Sequence, residues 1–587
     1  MNGQPKTPFY VVLFLVVGGL LAFAAYRSDL FAPKGRIQEG PGPGPGGGAG
    51  DIDPGIGQAA EDADSSAVTT VKEYVFRPAE RLPEVKGTSA YKALEDNTVR
   101  FALNVWAGWG PIILANEGFK PGKVWKTPGP NGKEFKVELV LIDDPVAMRD
   151  AYAAGNVHIG WATLDMMPLF MEAFVDKTGE PHDSRIMPRV YQQVDWSNGG
   201  DGIVVRESIK TVSDLRGKKV VFAQNSPSHY FLLNMLVSGG VQPSEVVPTI
   251  TSTAFEAAAA FNAQRDISAA VSWAPDIYNL AEARGNRMLV TTQTANKLIA
   301  DVWFARADFA KDHGDKIEAL VRGIFDGMEE LKKEDRKQEC ARLMAEGYNI
   351  PASDTLNMFA DAHNTNWAEN FQFFLNQNNP TNFERVWSQA YYLYRRVGTI
   401  THQPVSFDKV MDFSIIEKLG KEPKYRSQKD EYQVRLTPKA VSDIHAESDE
   451  ILTNTIVIQF FPNSWDLYKK VNRDEGGAVT EVLYDPNVDN VLQEVANMAG
   501  QFSNARIIIE GHTDSSRRGQ VPESMVKELS LNRANAVREA LVNKFQMDAN
   551  RFAADGVGWD RPADPNDPEN HAKNRRVEIK VFTAERG

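Results

Sequence analysis

The sequence predicts an α/β protein whose two folded parts follow an N-terminal helix of membrane-spanning length. Three observations predict it. Residues 8–26 (PFYVVLFLVVGGLLAFAAY) form an uncharged apolar stretch, short apolar runs alternate with amphipathic helical segments between about Asn97 and Leu419, and residues 450–587 read β-α-β-α-β.

Pro8 to Tyr26 is close to the roughly 20 residues that cross a bilayer as a helix. Ala22-Phe23-Ala24 fits the small-residue pattern of signal cleavage. The apolar run exceeds the roughly 7–15 residues of a signal core, however, which favours an uncleaved transmembrane anchor within residues 1–36. Lys6 on one side and Arg27, Lys34 and Arg36 on the other leave its orientation to be set by the rest of the chain. The single cysteine, Cys340, excludes an N-terminal lipid-bearing cysteine and any disulfide within the chain. Gly40 to Gly50 (GPGPGPGGGAG) and the small, acidic residues after it make residues 37–88 a flexible Gly/Pro-rich linker. At 587 residues the chain has material for several domains. A net charge of −13 with no strongly basic block argues against nucleic acid as a partner.

Residues 89–421 form the larger folded part. Val99 to Leu103, Val137 to Leu141, Val157 to Trp161 and Lys219 to Phe222 read as strands between helical segments. Trp106-Ala107-Gly108-Trp109-Gly110-Pro111, Asp201-Gly202-Ile203-Val204-Val205, Val212 to Val221 (VSDLRGKKVV) and Ala269 to Asp276 (AAVSWAPD) follow in that order. Together they resemble the periplasmic solute-binding proteins of nitrate, sulfonate and taurine ABC transporters. That resemblance implies a type II, two-lobed binding-protein domain closing by a hinge on a small molecule, with an ABC permease or another membrane complex as partner. The strand-to-helix turn at Ala223 to Tyr230 places Ser226 or Ser228 as a helix cap, where free N–H groups suit an anionic group. The resemblance puts Trp106, Trp109, Trp161 and Trp273 at ligand walls, with core packing as the alternative. Asp165, Asp201 and Asp276 lie in the corresponding segments and suit an ammonium. Turn chemistry for Asp201 and a helix cap for Asp276 are the bland readings.

A polar connector over residues 422–449 leads to residues 450–587. Here a strand from Glu450 to Phe460, a helix from Val488 to Met498, a strand from Arg506 to Gly511 and a helix starting near Ser530 are expected, with a last strand ending near Phe582. Gly511-His512-Thr513-Asp514, Leu529 to Ala534 (LSLNRA) and Asn574 to Ile579 (NRRVEI) resemble the three motifs of the OmpA-like peptidoglycan-binding domain, an α+β fold, in the family's order. The resemblance implies that Asp514 and Arg533 hold diaminopimelate, with Thr513, Asn574 and Arg575 beside them. A carboxylate and a guanidinium fork are complementary to its ammonium and carboxylate. A long loop from Ser515 to Lys527, holding Arg517 and Arg518, is expected before the helix.

No HExxH, paired CxxC, P-loop or GxSxG stands in a usable context, so neither an enzyme nor a metal or cofactor site is expected. A single span ahead of an OmpA-like domain is also the layout of the MotB stator family. Phe9 to Tyr26 lacks the ionisable carboxylate that ion coupling requires. The expected protein is an inner-membrane-anchored, periplasmic receptor for a small anionic or zwitterionic solute that grips peptidoglycan. A structural tether with a degenerate binding-protein domain is the alternative.

Overall fold

The structure, a computed structural model, describes residues 59–61 and 74–583 except 434, 457, 476 and 477. The apolar stretch Pro8 to Tyr26 lies outside the described residues. Among the described residues no helix is long and apolar enough to cross a membrane.

The larger domain has two lobes, each built on its own sheet. The first contains β1 (Thr98–Leu103), β2 (Trp125–Lys126), β3 (Glu134–Leu141), β4 (Ile159–Thr163) and β5 (Pro188–Ser197). The chain then crosses to the second lobe, with β6 (Asp201–Arg206), β7 (Lys219–Ala223), β8 (Val247–Thr251), β9 (Ala269–Trp273) and β10 (Asn286–Thr291). It returns to add β11 (Ala300–Arg306) and β12 (Ala362–Asn364) to the first sheet. The strand orders are β12-β5-β11-β4-β1-β3-β2 and β10-β6-β9-β7-β8. Both sheets mix parallel pairs, such as β1 with β3 and β7 with β8, with antiparallel pairs at the crossings. Helices on both faces leave β4 and β11 buried along their whole length, which is why these strands read as apolar runs.

The two crossings are stitched to each other. Thr292 Oγ1 and Ser197 Oγ lie 2.8 Å apart, and Thr292 Oγ1 also accepts from the N–H groups of Gly199 (2.8 Å) and Asp201 (3.2 Å). The Thr292 N–H donates back to the Asp201 carbonyl at 2.9 Å. The same return segment touches the C-terminal domain. Asn296 Oδ1 accepts from Ser503 Oγ (2.8 Å) and from the Asn504 N–H (3.2 Å).

Two expected boundaries shift. Residues from Tyr74 onward, read as linker, lie on the second lobe: the Tyr74 hydroxyl donates to the Val237 carbonyl (2.8 Å) and Arg77 Nε to the Val246 carbonyl (2.8 Å). Part of the connector also packs on the first lobe, where Tyr432 stacks on His363 with ring centroids 3.9 Å apart.

The C-terminal domain carries β13 (Glu450–Ile456), a hairpin of β14 (Lys470–Glu475) and β15 (Ala478–Leu483), β16 (Arg506–His512), β17 (Phe552–Gly558) and β18 (Val577–Phe582). Helices Val488–Gln501 and Glu523–Phe545 complete it, and the main sheet runs β13-β18-β16-β17. The β-α-β-α-β expectation therefore lacked β17 and the hairpin. Gly556 and Gly558 make β17 read as a turn, yet the glycine at 556 is required by packing. A Cβ there would stand 2.3 Å from the Lys527 carbonyl oxygen, and one at Gly511 1.9 Å from that of Ser530, because helix Glu523–Phe545 lies directly on both strands. That helix also begins earlier than expected. Pro522 precedes its first turn and Ser530 is an interior, buried position, so the Ser515 to Lys527 loop is shorter than its sequence suggested.

Gly511→Ala and Gly556→Ala should each destabilise the C-terminal domain by about 1–3 kcal/mol through overpacking against helix backbone. Chemical denaturation measures this, and an unchanged midpoint would mean that the helix does not sit on the sheet this closely.

Candidate functional site

The lobe boundary gathers buried carboxylates. Asp195 on β5 and Asp301 on β11 are cross-strand partners, and their carboxyl groups are hydrogen-bonded to each other. Asp165 follows β4, and Asp201 opens β6 with its Oδ2 accepting from Ser197 Oγ at 2.8 Å. All four are at most 5 % exposed. Burial is the leading influence on each and pushes it up: Asp165 and Asp201 to about 7, and Asp195 and Asp301 upward as well, each raised further by a neighbouring aspartate. The charge of Asp201 adds to the rise at Asp165, Asp195 and Asp301. Among the described residues none of the four takes part in an ion pair, and no lysine or arginine is among the groups shifting them.

Other buried polar groups lie on the elements around them. Thr163, at the end of β4, holds the Asp165 carboxyl through its hydroxyl, and Ser228 and Tyr230 are buried on a second-lobe helix. Tyr230, on the second-lobe helix Pro227–Ser238, and Tyr394, on helix Phe383–Arg396, both feel the Asp165 charge. Trp106 closes one side: its Nε1 lies 3.2 and 3.3 Å from the Asp195 oxygens, and a Cβ at Gly200 would be 2.4 Å from its ring.

In the C-terminal domain, Arg533 lies inside helix Glu523–Phe545, 1 % exposed. Its Nε donates to the Ser464 carbonyl at 3.0 Å, and Nη1 and Nη2 form a bidentate pair with Glu61 at 2.7 and 2.8 Å. Asp514, just beyond β16, is fully buried. Its Oδ2 accepts from Arg575 Nη1 at 2.7 Å and its Oδ1 from the Ser516 N–H at 2.9 Å. Thr513 is buried beside it, its Oγ1 unpartnered. Glu510, His512 and Glu578 bring ligand-type atoms within 4.8 Å of one another. Arg561 (3.1 Å) and Lys580 (3.0 Å) already hold Glu510, and Arg576 (2.7 Å) holds Glu578, so three cations already face two carboxylates and a metal would add further positive charge.

Residues 197–337 match the NMT1/THI5-like family model and residues 480–576 the OmpA family model. The chain joins an NMT1/THI5-like domain to a C-terminal OmpA domain. The putative aliphatic sulfonates-binding protein of Escherichia coli is 29 % identical over 228 residues, 37 % of this chain and 64 % of that protein. Outer membrane protein Omp38 of Acinetobacter baumannii is 39 % identical over 104 residues, 16 % of this chain and 28 % of that protein. The periplasmic aliphatic sulphonate binding protein SsuA from Escherichia coli, a crystal structure, aligns at 20 % identity with a TM-score of 0.39, covering 54 % of this chain and 97 % of that one. The chain spans less than two thirds of the length of either curated relative.

Several expected site residues of the NMT1/THI5-like domain fall elsewhere. Trp109 is fully buried with its Nε1 on Asn104 Oδ1 (2.7 Å), and Trp161 is buried with its Nε1 on the Ile142 carbonyl (3.0 Å); both are core. Trp273 is half-buried and packs edge-on against Phe255 of its own lobe. Ser226 occupies the N-cap position without capping, since its Oγ donates to the Ala223 carbonyl at 2.8 Å, and Ser228 is interior. Asp276 is the first helical residue after Pro275 rather than a cap. Asp201 serves the crossing as well as the acidic set.

In the OmpA domain, Asn574 and Arg575 come just before the last strand, and Asn574 staples the preceding loop, accepting from the Ala563 N–H (2.8 Å) and donating to the Pro568 carbonyl (2.7 Å). Sequence reasoning missed Asp195, Asp301 and Glu61. A lone aspartate inside the apolar runs YQQVDW and IADVWF was the available signal for the first two, because an isolated buried charge is costly.

A folded-state value near 7 at Asp165, against about 3.9 unfolded, means that the native state holds the extra proton between those limits. Its stability therefore falls as pH rises through that window. Asp165→Asn should raise the melting temperature of the solute-free chain at about pH 8, little at about pH 5, and so flatten the profile. Parallel wild-type and variant profiles would show that Asp165 carries no such cost.

Proposed function

We propose that this chain is an envelope receptor. Its NMT1/THI5-like domain binds a small solute bearing an ammonium or other cationic group between the lobes, and its OmpA domain grips peptidoglycan. The observation that carries the solute class is the set of four buried aspartates with no basic counter-charge. An entering cation supplies that missing charge, with the Asp165 carboxyl, held in place by the Thr163 hydroxyl, among its acceptors. The buried Tyr230 hydroxyl, close enough to feel the Asp165 charge, offers a donor for a second polar group, which favours a zwitterion over a simple amine. A sulfonate lacking an amino group brings a second negative charge to an acidic site and is disfavoured.

The wall-binding half rests on Arg533 and Asp514, whose side chains suit the carboxylate and the ammonium of diaminopimelate, with Thr513 and Arg575 beside Asp514. The apolar stretch at residues 8–26 anchors the chain in the inner membrane and leaves the folded parts in the periplasm, where an ABC permease or another membrane complex reads the solute-loaded state. The second reading, a tether with an unused cleft, draws on one contact: the Trp106 ring reaches across to Gly200 and fills part of the boundary.

Thermal-shift titration of the full chain with amino acids, amines, amino-sulfonates and amine-free sulfonates separates these readings. A dose-dependent rise with amine-bearing solutes only, lost in Asp165→Asn, is expected. A rise with amine-free sulfonates would overturn the solute class, and no rise with any of them would favour the tether. Arg533→Ala should abolish pulldown by diaminopimelate-type peptidoglycan, and full retention would remove the wall-binding assignment.

A further inference from the structure

The carboxylate on Arg533 belongs to this chain, 472 residues away in sequence. Glu61 and Arg533 are 0 % and 1 % exposed at their side chains, so the pair is sealed from water. The backbone around Glu61 is clasped as well. Asn463 Oδ1 accepts from the N–H groups of Ala60 (2.6 Å) and Glu61 (3.1 Å), and Asn463 Nδ2 donates to the Glu61 carbonyl at 3.4 Å. Asn463 adopts φ 60° at this point, a conformation that asparagine tolerates better than most residues. Ala60 is fully buried among Val521, Val526, Leu529 and Trp559.

A two-residue segment thus receives a bidentate guanidinium, a side-chain clasp on both its N–H groups and an apolar seat for its methyl group. These are the contacts that a short peptide ending in a carboxylate would need. The described chain resumes at Tyr74, which is fixed to the second lobe of the NMT1/THI5-like domain, so the segment stays tethered to the same chain when it leaves the pocket.

We propose that Ala60–Glu61 is an internal latch: it occupies the peptidoglycan site of the OmpA domain as a built-in ligand mimic and must leave before the cell wall is bound. This rests on the reading of the Arg533 pocket as the peptidoglycan site. The latch lowers apparent affinity by the fraction of time the pocket is open. A latch closed about nine-tenths of the time weakens wall binding about tenfold. Selectivity follows as well, because a wall peptide brings an ammonium that Glu61 lacks.

The test is a calorimetric titration of the full chain with a soluble diaminopimelate-containing muropeptide, comparing wild type, Glu61→Gln and Arg533→Ala. Glu61→Gln should bind about tenfold more tightly than wild type, and Arg533→Ala should not bind measurably. In an Ala60→Cys variant the introduced thiol should be protected from maleimide until muropeptide is added. Cys340, buried, stays silent as the internal control. Equal affinity of wild type and Glu61→Gln, with Arg533→Ala still inactive, would overturn the latch and keep the wall-binding site. No binding by wild type or by Glu61→Gln, with the introduced thiol of Ala60→Cys unaffected by muropeptide, would overturn the site itself and the latch with it.

Discussion

Desolvation of charge governs what each site in this chain holds. A guanidinium keeps its proton in any protein environment, so a buried arginine requires a resident acceptor. A buried carboxylate has a second option and takes up a proton. Arg306 meets the first requirement with Asp308 and the Ala153 carbonyl, Arg506 with carbonyls such as that of Asn550, and Arg551 with those of Ala499 and Phe502. Arg533 differs from Arg506 and Arg551 in meeting a carboxylate, Glu61, with both terminal nitrogens. The four aspartates at the lobe boundary take the opposite course, and burial pushes each of them toward the protonated form.

The crossings between the lobes extend this contrast to the architecture. Ser197, Asp201 and Thr292 form one hydrogen-bonded knot, and Asp201 belongs both to that knot and to the acidic set. A change in the charge of Asp201 therefore acts directly on the segments about which the lobes would move. Four residues further on, Asn296 accepts from Ser503 and Asn504 at the end of an OmpA-domain helix. The return segment between the lobes and the OmpA domain are thus joined by side-chain hydrogen bonds as well as by the chain.

Much of this was legible in the sequence, and the losses have physical causes. The lobe sheets, the order of the motifs and the positions of Asp514 and Arg533 follow from apolar runs and dispersed signatures, which local patterning records. Trp109 and Trp161 misled because an indole next to a strand end looks alike whether its N–H meets a solute or a neighbouring carbonyl. β17 was hidden because the same glycines that allow a helix to lie on it also mark a turn. Asp195 and Asp301 stood in plain view as lone acids in buried strands. Glu61 could not have been found: its partner is 472 residues distant, and nothing in its own neighbourhood distinguishes it from the other acids of an acidic linker.

Both charges of the proposed wall-binding pocket arrive already paired within the chain, Arg533 with Glu61 and Asp514 with Arg575. Binding there is consequently an exchange of ion pairs rather than the creation of new ones, and desolvation costs met in folding are not incurred again. Such an exchange yields little net energy from charge alone. It discriminates through geometry, because a ligand has to present its carboxylate to Arg533 and its ammonium to Asp514 at once. Glu61 satisfies only the first of these, and Arg575 holds the second carboxylate until a ligand ammonium competes for it. A latch that imitates half of the ligand is weak enough to be displaced by the whole, yet close enough in shape to exclude carboxylates that lack the second charge.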